Sequence, residues 1–302
     1  MDERPAGERE RKPSTDDDDL APGTLLLGKY SVQSVLGRGS ACTVYTATHV
    51  PLQRRVALKV LRRGPDRERR RARLLREARL LAEIEHPSIV KVFEHGAIDD
   101  ETAFLALELL EGETLAQRVG RGVLPARDAL LIAEPVLGAL EEVHAHGVVH
   151  RDVTLENIFL EGDRVVLLDF GSGRPDAAVR LTGSAGPVGT PGHLAPEQLH
   201  PDIPVDARTD VYQLGVSIYR ALTGAFPFAG SGGELFARIL FEPALAPSKL
   251  RPDVPAAVDA LVDKALAKAP TARFQSAAEM RGAVLRCLAS RELPPTTRPR
   301  QG

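Results

Sequence analysis

The segment Val148–Gly171, VVHRDVTLENIFLEGDRVVLLDFG, constrains this chain more than any other stretch. Two short apolar runs, Ile158–Leu160 and Val165–Leu168, flank Glu161-Gly162-Asp163, a pattern that predicts a β-hairpin with its turn at the glycine. Asp152 and Asn157 precede the first run and Asp169 follows the second. A hairpin brings its outer ends together, so two carboxylates and a carboxamide converge on one edge. Asn157 and Asp169 are oxygen donors suited to a hard cation such as Mg2+, which also takes phosphate oxygens. Asp152 is left to accept a proton. Either aspartate alone reads as an ordinary turn residue; the three together are equipment for phosphoryl transfer.

The spacing is also recognisable. His150-Arg151-Asp152 with Asn157 shortly after, then Asp169-Phe170-Gly171, resembles the catalytic and metal-binding loops of protein kinases. The resemblance runs from Gly28 to Leu288 and points to a serine/threonine protein kinase of the kind common in bacteria. It implies an α+β, two-lobed fold. A small β-rich N-lobe with one regulatory helix is expected over residues 25–110, and a larger, mostly helical C-lobe over 111–291. The acidic stretch 1–24 and the end 292–302 have little to bury and are expected to be disordered.

Further motifs acquire roles from the resemblance. Gly37-Arg38-Gly39-Ser40-Ala41-Cys42-Thr43-Val44 lies between two strand patterns and matches the hairpin that folds over ATP. Gly37 and Gly39 would let backbone N–H groups approach the phosphates, while Cys42 replaces the family's third glycine and adds bulk there. Lys59, inside the strand pattern Val56–Leu61, would contact the α- and β-phosphates. Glu77 shares a helix face with Leu74, Leu75, Ala78, Leu81 and Ala82 in a helix expected over Arg67 to Glu85. An acid on an apolar face needs a partner, and the resemblance makes that partner Lys59. Leu36, Val44, Ala57 and Phe159 would sandwich the adenine, with Leu107 behind it and Glu108 to Leu110 as the hinge that binds it through backbone groups. Nine arginines against three acids between Arg62 and Arg79 read as a solvated helix face, because no aromatic residues are interleaved to stack bases.

The second half turns helical. Helices are expected over Arg127 to Ala145, kinked near Pro135 and Gly138, then over Asp210 to Leu222, Gly233 to Leu240, Ala256 to Ala267 and Ser276 to Arg291. The long polar loop Ser172 to Thr190 is expected to be functional. Phosphorylation at Thr182 or Ser184 would pin it to Arg151, with Arg180 as a second donor. Gly189 to Glu197 resembles the peptide-docking segment, with Thr190 favouring a Ser/Thr acceptor. By the same resemblance Asp210 supports the His150–Asp152 backbone and Arg273 pairs with Glu197. Thr154 departs from the pattern, since serine/threonine kinases usually place a lysine there.

Composition narrows the remaining classes. A net charge of −2 argues against whole-protein attraction to nucleic acid or anionic membrane. Two cysteines, Cys42 and Cys287, suit a reducing compartment, and no run approaches the ~20 apolar residues of a membrane span. The expectation is a cytoplasmic enzyme that binds ATP and Mg2+ and acts on a protein Ser/Thr, with Asp152, Lys59, Asn157 and Asp169 as catalytic residues. Autophosphorylation and a homodimer fit this reading, whereas a specific nucleic-acid partner does not. The alternatives are a pseudokinase or nucleotide-binding scaffold, which retention of those residues argues against, and a small-molecule kinase, disfavoured by the docking segment.

Overall fold

The computed structural model describes residues 19–39, 41–64, 66–99, 102–170, 191–200 and 202–293, and the chain divides into two compact units. The first contains the described residues through Leu75 together with Phe93–Leu109. Its strands are β1 (Leu25–Leu26), β2 (Tyr30–Arg38), β3 (Cys42–His49), β4 (Arg54–Leu61), β5 (Val92–Ala97) and β6 (Ala103–Glu108), with α1 (Arg67–Glu83) between β4 and β5. They form one sheet in the order β1-β2-β3-β4-β6-β5, in which each pair from β1 through β4 to β6 is antiparallel. Sequential hairpins build β2, β3 and β4 side by side. β4 then lies between two neighbours, and all six residues Val56–Leu61 are buried. One face is a core of Leu26, Tyr30, Val32, Tyr45, Ala47, Val56, Leu58, Val60, Phe104 and Ala106. The β2–β3 ladder shifts register between Val32 and Ser34 and again between Val35 and Gly37, so β2 enters the glycine turn through irregular pairing.

The second unit takes the remainder of α1, residues 84–92 and the chain from Leu110 onward. Its elements are β7 (Glu113–Thr114), α2 (Leu115–Gly120), α3 (Ala126–Ala145), β8 (Ile158–Glu161), β9 (Arg164–Leu167), α4 (Pro196–Leu199), α5 (Ala207–Thr223), α6 (Gly232–Phe241), α7 (Pro247–Leu250), α8 (Ala256–Ala265) and α9 (Ala277–Ala289). Residues 86–89 join this unit because they run beside β9, with the Leu167 amide donating to Ser88 O at 2.8 Å and Ile89 bridging Leu167. The six longer helices, α1, α3, α5, α6, α8 and α9, form where apolar spacing predicts them, whereas the short α2, α4 and α7 are not expected from the sequence. Asp206 caps α5 by accepting from the Arg208 amide, and Gly224 ends it at φ +76°, a left-handed value that suits glycine. From Thr209 to Tyr219 every residue of α5 is buried, as in a helix enclosed on all sides. α3 buries Leu130, Ala133, Leu137, Leu140 and Val143 and continues as one helix through Pro135.

The expected hairpin is β8–β9, closed by the Glu161–Arg164 pair with Gly162 at φ +59° in the turn. On α1 the expected inward face holds at Leu74, Glu77, Ala78 and Leu81, whereas Ala82 is exposed. Thr182, Ser184, Arg180, Gly171 and Thr190 lie outside the described residues, as do most of the acidic N-terminal stretch and the C-terminal end.

Candidate active site

The loop from His150 to Asn157 has no ladder of its own, so its backbone groups need partners from elsewhere. They come from one face of α5, on which Asp210, Gln213 and Ser217 recur at helical spacing. Asp210 is fully buried and accepts from the His150 amide at 2.8 Å, the Arg151 amide at 2.7 Å and His144 Nε2 at 2.7 Å. Gln213 accepts from the Val153 amide at 2.9 Å and donates to Arg151 O at 2.9 Å. The Ser217 hydroxyl donates to Val153 O at 3.1 Å. This network holds Arg151 at φ +68°, a left-handed conformation that costs a residue with a side chain about 1–2 kcal/mol. The buried charge-assisted bonds from Asp210 offset that cost.

His150 fixes the other end of the loop. Its Nε2 donates to Leu168 O at 2.8 Å, which leaves Nδ1 to accept from the Asp152 amide at 3.3 Å, and its ring meets Phe170 edge-on at 4.7 Å. The catalytic loop is thereby tied to the residues on either side of Asp169. Asn157 completes the arrangement. Its side-chain Nδ2 donates to both Asp152 O at 2.9 Å and Asp152 Oδ2 at 3.0 Å, and its backbone carbonyl accepts from the Leu168 amide at 2.8 Å. Asn157 thus faces Leu168 at the open end of the hairpin, Asp169 is next in the chain at φ +58°, and Asp152 is bonded to Asn157.

The donor set fits a hard cation. With Nδ2 spent on Asp152, the Asn157 carboxamide would offer its carbonyl oxygen, and Asp169 would add a carboxylate. Two protein oxygen donors leave the remaining positions to phosphate and water, the usual situation for Mg2+.

A second buried constellation supports the docking segment. Arg273 and Glu197 form a two-pronged ion pair at 2.7 and 2.8 Å, both side chains almost completely buried. The remaining guanidinium donors are taken by Ala267 O, Lys268 O and Arg208 O, and Thr209 donates a further bond to Glu197 Oε1 at 2.6 Å. Gln198 connects this segment to the catalytic loop by donating to Arg151 O at 3.2 Å. His193 differs from its neighbours. It is buried with neither ring nitrogen hydrogen-bonded, and it stacks edge-on with Phe226 at 5.1 Å. Burial, followed by the Arg220 charge, pushes its pKa down to about 3.

In the first unit, Lys59 is buried on β4, Ala57 is buried two residues before it, and Cys42 is buried at the start of β3. Gly37 and Gly39 are exposed at the turn, Leu36 is 57% exposed, and Val44 and Glu108 are half-buried. Glu77 is buried on α1 within the second unit, where Leu110 and Phe159 are half-buried. Sequence reasoning missed Gln213, Ser217, His144 and Gln198. The signal for the first two was available, since polar residues at the spacing of Asp210 in an otherwise apolar helix must be bonded to something buried. The arginine run was also misread in part: Arg62 donates to Gly39 O at 2.6 Å and Arg70 to Ala41 O at 2.7 Å, so both hold the glycine turn as well as meeting solvent.

A sheet-based unit and a helical unit, the latter carrying the loop that bonds Asp152 to Asn157, define the class of protein kinase folds. The protein kinase domain family matches residues 30–283, and the chain belongs to that family. A probable serine/threonine-protein kinase of Streptomyces coelicolor is 38% identical over 274 residues, which cover 87% of this chain and 40% of that protein. PknL of Mycobacterium tuberculosis, a serine/threonine-protein kinase, is 38% identical over 275 residues, covering 90% of this chain and 68% of PknL. The crystal structure of the M. tuberculosis PknI kinase domain superposes with a TM-score of 0.68 at 30% identity, covering 89% of this chain and 99% of that one. The chain is thus a kinase domain of the bacterial serine/threonine type, and it spans less than half the length of the S. coelicolor relative. Among the described residues no helix is long and apolar enough to cross a membrane.

Proposed function

We propose that this chain transfers the γ-phosphate of ATP to Ser or Thr hydroxyls of proteins, its own among them. The observation that carries the reading is the Asp152–Asn157 pair, held on a loop whose backbone is bonded to buried side chains of α5. Asp152 orients the acceptor hydroxyl and takes its proton. Asn157 and Asp169 hold Mg2+, which when bound offsets charge on the transferring phosphoryl group. Lys59 positions the nucleotide, and Gly37, Gly39, Cys42 and Val44 belong to the segment over the phosphates. Leu36, Ala57 and Phe159 contact the base, and Glu108 and Leu110 bind its edge. Thr154 leaves the site without the lysine that serine/threonine kinases usually place there, which supports a slow enzyme. A cytoplasmic setting and protein substrates fit this chemistry.

The test is incorporation of label from ATP with Mg2+, using the purified chain alone and with a generic basic protein. Asp152→Asn is expected to lose about 10²- to 10⁴-fold in rate. Equal incorporation by Asp152→Asn would remove Asp152 from the mechanism, and ATP binding without any transfer would establish a pseudokinase.

A further inference from the structure

The glycine turn between β2 and β3 has little to pack against. Gly37 and Gly39 lack side chains, and the side chain of Arg38 between them is 48% exposed. Whatever positions this turn must therefore act through polar contacts. Three guanidinium groups do so. Arg62 and Arg70 bond to the carbonyls of Gly39 and Ala41, and Arg38 is gripped by Asp19 through Nε at 2.9 Å and Nη2 at 2.6 Å. Asp19 lies well outside the turn in sequence, ahead of β1. Its other carboxylate oxygen accepts from Thr43 at 3.3 Å and Tyr45 at 3.2 Å on β3, so one side chain links the turn to the strand that leaves it.

The residues after Asp19 anchor it. The Leu20 amide donates to the Tyr45 hydroxyl at 3.1 Å, the Gly23 amide to Val32 O at 2.8 Å, and the Val32 amide to Thr24 O at 2.9 Å. Leu20 seats the segment by packing against the apolar core of the sheet, and with Asp19 it lines a pocket of about 230 Å³ shared with Thr43, Tyr45 and Arg62. The segment's grip on the turn rests on hydrogen bonds and charge. The hydrogen bond from Arg38 holds the Asp19 carboxyl below the usual carboxylate range.

We propose that Asp19 and Leu20 form a strap that sets the position of the Gly37–Gly39 turn, making Asp19 a positioning residue for nucleotide binding. The strap rests on the reading of this hairpin as the cover of the ATP phosphates. It couples Asp19 to nucleotide affinity, because displacing Asp19 removes its two bonds to Arg38 and loosens the turn. Asp19 touches no nucleotide itself and acts through Arg38, Thr43 and Tyr45.

The experiment uses the full chain with Asp19→Asn, Asp19→Glu, Arg38→Ala and the Asp19→Asn/Arg38→Ala double variant. Hydrogen exchange of the Gly37–Cys42 amides without nucleotide reads the strap directly, and KM for ATP against kcat reads its consequence. Asp19→Asn is expected to speed exchange in the turn and raise KM about two- to fivefold, the range for a surface ion pair, with kcat unchanged. Asp19→Glu recovers most of the affinity, and Asp19→Asn has a smaller effect in the Arg38→Ala background than alone. Unchanged exchange and KM in Asp19→Asn, or an equal effect with and without Arg38, would overturn the proposal. Faster exchange in a chain that binds no ATP would keep the strap as a structural clasp and reject both its catalytic consequence and the nucleotide reading.

Discussion

His193 and Arg273 show how burial decides what a polar side chain contributes. The His193 ring, buried against Phe226 with no hydrogen-bond partner, is held uncharged by its surroundings, with the Arg220 charge nearby acting in the same direction. Its pKa is about 3 in the folded chain and the ordinary 6.5 when unfolded. Between those values the unfolded chain binds the extra proton, so stability is fully present above pH 6.5 and falls as the solution is acidified. The slope is about 1.4 kcal/mol per pH unit within that window. Urea unfolding at pH 7 and pH 5 should show a larger loss for wild type than for His193→Phe; equal losses would remove His193 from the acid sensitivity. Arg273 has the opposite arrangement, every nitrogen of its guanidinium being hydrogen-bonded. Glu197→Ala leaves that cation buried without its partner, and a loss of about 3–5 kcal/mol is expected in the unfolding free energy. Glu197→Gln, which keeps an acceptor, should cost less.

At the scale of the element, α5 does two jobs with different faces. Its apolar residues fill the second unit, and Asp210, Gln213 and Ser217 supply bonds that the catalytic loop cannot make with itself. The three-stranded β7-β8-β9 sheet fixes where that loop ends, and β7 can approach β8 only because Gly112 precedes it. A Cβ on Gly112 would stand 2.0 Å from Leu160 O, and its φ of +159° already disfavours a side chain. The obstacle is backbone, so it cannot turn aside as a side chain would. Gly112→Ala is expected to cost about 1–3 kcal/mol, read from the urea midpoint, and to lower kcat by shifting β8 and Asn157 with it. Wild-type stability and rate would show that β7 moves without consequence.

The whole molecule joins a sheet unit, which carries Lys59 and the glycine turn, to a helical unit that carries Asp152, Asn157 and Asp169. Each has its own buried apolar core. Ligand linkage follows from the proposed function: at a nucleotide concentration about 100 times Kd the native state gains about 2.7 kcal/mol. Thermal unfolding should therefore shift upward with ATP and further with Mg2+. Asp169→Ala should retain the first shift and lose most of the second. A Mg2+ increment that survives in Asp169→Ala and in Asn157→Ala would place the cation on other ligands.

The sequence by itself determined the hairpin, the longer helices, and the residues proposed for chemistry, because each is encoded locally: apolar runs on either side of Gly162, helical spacing in α3 and α5, and His150-Arg151-Asp152 placed ahead of Asn157 and Asp169. Only the tertiary structure decided what holds those residues in place. The bonds from Gln213, Ser217 and His144, the unpartnered burial of His193, and the grip of Asp19 on Arg38 join positions far apart in the chain. Spacing along a sequence carries no record of such contacts. They arise where folding leaves a buried polar group, or a turn without side chains, that must find a partner across space.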